Sequence, residues 1–216
     1  MAGSFLALAW RDFLRLSRGG AALPVLFFLA VTILYPFAVG PDQALLTRTG
    51  GAIIWVAALL AAILPIDRLI APDIEHGFFD QWALRGISEE LAIAARILAH
   101  WLCFGPALML AALPAAALLG LDAPVLATVA LALLAGTPGL AALGVLIAAI
   151  TAGIKGGAAL SGLLAIPLAI PLLIFGAGSL SAESRSGLAL TAACSLLLLA
   201  ITPFAGGAAV RAAREG

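Results

Sequence analysis

Six long apolar stretches dominate this chain, at 23–40, 51–66, 97–119, 124–150, 158–178 and 188–210. A helix needs about 20 mostly apolar residues to cross the hydrocarbon core of a bilayer. In lipid every backbone polar group must be bonded within the protein, so such stretches form helices rather than loops or open strands. The reading is therefore all-α, a polytopic membrane protein with six transmembrane helices in one domain over 1–216. Composition supports it: 64% of the residues are hydrophobic and 10% charged. A soluble domain needs about a quarter of its residues charged.

The basic residues predict the orientation. Arg11, Arg15 and Arg18 precede the first span, Arg68, Arg85 and Arg96 lie around the second loop, and Lys155, Arg211 and Arg214 follow on the same side. The opposite side has only Arg48 and Arg185. Because basic residues are retained inside, nine against two places both termini in the cytoplasm. The first span is expected to stay uncleaved: its basic prelude is long for a signal peptide, and five more spans follow.

Two segments outside the spans carry pattern. In the interfacial segment 1–22, Arg11, Arg15 and Arg18 share one helix face, and Phe5, Ala9, Phe13 and Leu16 the opposite one. That describes an amphipathic helix lying in the membrane interface. The 67–96 loop is rich in acids and holds Phe78, Phe79 and Trp82. Pro72 is expected to end the preceding helix and Asp73 to cap a short helical piece. Ser88 followed by Glu89 and Glu90 reads as the next helix start. Such a loop either rests on lipid headgroups or docks another protein.

Proline and glycine interrupt two spans. Gly136-Thr137-Pro138-Gly139 sits in the fourth, and Pro167 and Pro171 in the fifth. Each is either a packing feature or a hinge. Ionisable groups at mid-depth are scarce, which argues against an ion-coupled transporter. His100 and Cys103 are too few for a zinc site, and His100 is expected to serve packing. A net charge of +0 argues against nucleic acid as a partner. Neither a nucleophile–base motif nor a phosphate-binding loop occurs, since Lys155, the single lysine, is followed by Gly156 and Gly157. The chain is read as non-catalytic, with any ATP hydrolysed by another subunit.

The loop Glu75-His76-Gly77-Phe78-Phe79-Asp80-Gln81-Trp82, the helix start at Ser88 and the basic Arg96 resemble the cytoplasmic loop of ABC-2-type permeases. A narrower likeness covers nearly the whole chain. The strings GPDQALLTRTGGAIIWVAALLAAI (40–63), LAHWL (98–102), LAGTPGLAALG (134–144), GIKGGAALSGLLAIPLAIPLLIFGAGS (153–179) and TPFAGGAAVRAA (202–213) resemble the CcmB family in order. That family supplies the permease subunit of the bacterial cytochrome c maturation transporter.

The resemblance implies an inner-membrane subunit paired with a second copy and two ABC ATPase subunits. It also implies a haem-handling membrane subunit, a small membrane subunit and, indirectly, a periplasmic haem chaperone. Haem would be the transported or handled ligand, with ATP on the partner. The 67–96 loop would couple to the ATPase through Glu75, Gly77, Phe78, Asp80, Gln81 and Trp82. Asp80 stands where glutamate is expected, and Gly86 where related loops often carry proline. ATP hydrolysis would drive either haem export or, the favoured reading, release of haem-loaded chaperone. The alternative is an ABC-2-type permease exporting a lipid, polysaccharide or drug.

Overall fold

The computed structural model describes residues 2–20, 22–154, 156–180 and 185–215. Lys155, part of the charge argument above, lies outside them. The described elements are helices: α1 (Ala2–Arg18), α2 (Ala22–Val39), α3 (Gln43–Ile63), a 3-10 turn (Ile66–Arg68), α4 (Ala71–Glu75), α5 (Phe78–Leu84), α6 (Glu89–Leu118), α7 (Ala123–Thr151), α8 (Gly157–Gly178) and α9 (Arg185–Glu215). Six helical segments among them are long and apolar enough to cross a membrane.

Helix starts follow local chemistry. Asp42, Ser88 and Asp122 each accept a hydrogen bond from the backbone N–H three residues on, at 3.1, 3.3 and 3.0 Å. Each thereby satisfies a donor that the first helical turn leaves unpaired. Asp42 starts α3 at Gln43, eight residues before the apolar stretch read from sequence, so Arg48 lies on a helix rather than in a loop.

The second loop departs from expectation at Pro72 and Asp73. Pro72 does not end the preceding helix. That helix, α3, stops at Ile63, just before Pro65, whereas Pro72 occupies the first turn of α4, where no N–H bond is lost. Nor is Asp73 a cap. Ile70 holds that position, and Asp73 lies inside α4 at 1% exposure. Its carboxylate is taken up by arginines instead of backbone amides.

Helix α7 forms the centre. It is mostly buried, whereas α2 is mostly exposed, and it packs on α3, α6, α8 and α9. Small residues permit that packing. Trp55 of α3 is fully buried, and its ring occupies the space a side chain on Gly136 of α7 or Gly176 of α8 would take. A Cβ on either glycine would stand 2.3 or 2.4 Å from the ring. At Gly139 a Cβ would come within 2.8 Å of the Ser195 backbone, so α7 and α9 approach closely there.

Some buried hydroxyls are satisfied along their own helices. Thr32 donates to the Phe28 carbonyl at 3.0 Å, and Thr151 to that of Ile147 at 2.8 Å.

Candidate functional site

At one end of the bundle, α1, α4 and α6 meet around a buried cluster of charge. Arg96, 1% exposed on α6, donates from Nε to Asp12 Oδ2 at 2.6 Å. Its Nη2 pairs with Asp73 Oδ2 and its Nη1 with the Leu69 carbonyl. Arg11 closes the ring, donating to Asp12 Oδ1 at 2.8 Å and to Asp73 Oδ1 at 3.0 Å. Arg15 adds an ion pair to Asp73 at 3.4 Å and a bond to the Leu69 carbonyl at 3.2 Å. Burial, and after it the neighbouring Arg96 charge, lower the Arg15 pKa from the ordinary guanidinium value, while Asp73 and Asp12 oppose the shift. Three arginines around two carboxylates spread the cost of burial over several charge-assisted bonds.

The cluster decides which way α1 faces. Leu8, Ala9 and Asp12 are buried, so the helix turns inward on a side between its basic and apolar faces. Arg11 and Arg15 are therefore half-buried clamps, whereas Arg18 is exposed. Leu6 and Trp10 stay exposed, as expected of a helix at the membrane interface.

The aromatic residues of the loop are internal to it. Phe79 and Trp82 are buried and meet edge to face, their centroids 5.2 Å apart. The Arg11 guanidinium sits 4.3 Å from the Phe78 centroid and 5.0 Å from that of Trp82. Exposed on the outside are Glu75, Asp80, Gln81 and, above all, Leu84, which is 88% exposed. Gly77 joins α4 to α5 at φ +68°, a left-handed conformation that glycine adopts without strain. After α5, Gly86 is left-handed at φ +71°, with its N–H on the Ala83 carbonyl and that of Ile87 on the Trp82 carbonyl. This is a Schellman ending. Proline cannot take its place, because the ring holds φ near −65°.

The end of α9 holds the loop from the other side. Arg214 Nε donates to Asp80 at 2.8 Å and its Nη1 to Glu89 at 2.6 Å. Arg211 bonds Glu90 at 2.5 Å. Asp80 thus tethers the loop to α9.

The glycine–proline segments lie elsewhere. Helix α7 runs unbroken through Gly136, Thr137 and Pro138, and Thr137 accepts a hydrogen bond from Trp101 Nε1 at 3.0 Å. Pro167 and Pro171 lie on the exposed face of α8. His100 is buried, its ring 4.8 Å from that of Phe104. Its Nε2 has no hydrogen-bond partner and stands 3.5 Å from where a side chain on Gly144 would begin.

Asp12 went unread in the sequence. Its signal was nonetheless present: it is the one acid before residue 42, set beside Arg11 in a helix otherwise basic and apolar.

Six membrane-length helices, an amphipathic first helix and a loop clamped between α1 and α9 define a polytopic helical membrane protein with a structured elbow. The protein-family model described as "CcmB protein" matches residues 4–213, and the chain belongs to that family. It is 45% identical over 199 residues to "Heme exporter protein B" of Bradyrhizobium diazoefficiens, covering 89% of this chain and 90% of that one. It is 42% identical over 212 residues to the protein of the same name from Paracoccus denitrificans, covering 95% and 97%. Against that of Escherichia coli K12 identity is 38% over 195 residues, covering 88% and 89%.

Proposed function

We propose that this chain is the membrane-spanning, non-catalytic subunit of an ABC-type haem exporter acting in cytochrome c biogenesis. The observation that carries the reading is the match over residues 4–213 to a family whose relatives are named haem exporters. On this reading ATP is hydrolysed by two partner ATPase subunits, with a second copy of this chain, a haem-handling subunit and a small membrane subunit in the complex. The work done is the release of haem-loaded periplasmic chaperone. His100, the one histidine within the spans, supports this over a ligated haem path, because its Nε2 turns against α7.

Both termini face the cytoplasm of a bacterial inner membrane. Charge supports this: the α1 arginines, Arg68, Arg96, Arg211 and Arg214 meet at one end of the bundle, and Arg48 lies near Thr47, which bonds the Gly120 carbonyl at the other. The loop at the basic end is the coupling element. Its aromatic side chains stiffen it, and its contact with the ATPase runs through Leu84 and the exposed Glu75, Asp80 and Gln81. The Arg11–Asp73–Arg96 clamp then passes movement of the loop into α6 and α1.

The test is co-purification of the ATPase from membranes, together with the yield of c-type cytochrome. Leu84→Asp is expected to reduce both at least tenfold while the protein still inserts and keeps its melting temperature. Phe78→Ala/Trp82→Ala is expected to lower the melting temperature as well. Equal ATPase recovery and cytochrome yield from wild type and Leu84→Asp would remove Leu84 from the coupling surface.

A further inference from the structure

A cavity of about 320 Å³ opens beside the charge cluster, between the end of α1, the start of α2, the end of α3 and α6. That is within the range of small-ligand sites. Its walls are mostly apolar, with Leu16, Leu23, Leu64 and Phe104 prominent, and two guanidiniums, Arg15 and Arg68, share them. Both are drawn to one corner. Arg15 Nη2 donates to the Arg68 carbonyl at 3.3 Å, and Arg68 Nη1 to the Gly19 carbonyl. Arg15 Nε is buried with no hydrogen-bond partner.

Asp73 lies near Arg15, but it is held more closely by Arg11 and Arg96. Arg68 is exposed and commits Nη1 to the Gly19 carbonyl, so its remaining N–H groups give the corner donor capacity for an outside anion. An apolar chamber offers water too few partners to hold it in order. Its complement is an amphiphile with an apolar body and an acidic group.

We propose that this cavity binds an anionic membrane phospholipid, with an acyl chain among the apolar walls and the phosphate on Arg15 and Arg68. Basic pockets between membrane helices at an interface select acidic headgroups in this way. Haem is also an acidic amphiphile, but the cavity does not favour it. His100 contributes to the wall, yet its Nε2 faces Gly144 on α7 and offers no axial ligand. The bound lipid would wedge α1 against α2 and α3 at the Gly19–Gly20 joint. This inference does not depend on the exporter reading.

The test uses the full chain in discs of equimolar phosphatidylglycerol and phosphatidylcholine, with retained lipid counted by native mass spectrometry. Two variants probe the two halves of the site: Arg68→Gln removes a cation, and Cys103→Phe fills the chamber from α6. Wild type is expected to retain one phosphatidylglycerol at least tenfold in preference to phosphatidylcholine, and each variant to lose that preference. Equal retention of the two lipids by wild type overturns the proposal even if a variant fails to fold. Unchanged preference in both variants overturns it too. Added hemin that displaces the lipid, and whose own binding is lost in both variants, reassigns the cavity to haem.

Discussion

Arg96 carries more of the architecture than any other charged residue. It is buried between Asp12 and Asp73, which belong to segments far away in the chain. Removing Arg96 leaves the two buried carboxylates to the half-buried Arg11 and Arg15 alone, at a cost of up to about 3–5 kcal/mol. Arg96→Met is therefore expected to lower stability by about that amount, measured by unfolding in mild detergent. Asp12→Asn is expected to act less than additively with it, since both remove the same bond. Additive losses would mean the Arg96–Asp12 pair is not coupled. At Gly136 the neighbour is the Trp55 ring, so Gly136→Ala overpacks the core by about 1–3 kcal/mol. Trp55→Phe in the same chain is expected to restore part of that loss, because the clash is with the far edge of the indole.

At the scale of elements, α4 and α5 form a hinged pair closed by two left-handed glycines. Gly77→Ala forces a Cβ into that conformation and is expected to cost about 1–2 kcal/mol. Gly86→Pro is the sharper change, because no proline reaches φ +71°. It is expected to open the end of α5 and speed amide exchange around Trp82, while α7 and α9 keep their protection. Unchanged exchange at Trp82 would show that α5 ends in some other way.

Helix starts were legible because capping is local: Ser88 with Glu89 and Glu90 signals its own helix. The role of Asp73 was not. A capping residue and a buried ion-pair partner are the same side chain, and only what packs against it tells them apart. The aromatic cluster of the loop left lipid contact and protein docking both open for the same reason. Phe78 and Trp82 are apolar whether they meet a partner or, as here, the guanidinium of Arg11 and each other.

Across the whole molecule, α7 is enclosed by four other spans, and the elbow is tied to the bundle by both α1 and α9. On the proposed coupling, a push on the loop would reach α1, α6 and α9 together. The proposed orientation is checked by labelling with a membrane-impermeant thiol reagent in a background lacking Cys103 and Cys194. Leu84→Cys is expected to react only from the cytoplasmic side and Thr47→Cys only from the periplasmic side; the reverse pattern would invert the topology.

Hydropathy and charge, read along the chain, were enough to establish the helical class, the number of spans and the basic end. These follow from each segment's own length and composition against the bilayer, without reference to any other segment. Three-dimensional packing alone decided that Asp12 meets Arg96 across 84 positions, that Trp55 fills the gap at two glycines, and that an apolar chamber opens beside Arg15 and Arg68. Such pairings depend on how helices are rotated about their axes and brought together. A nearly uniform apolar composition leaves that rotation open, and the few buried charges and missing side chains resolve it.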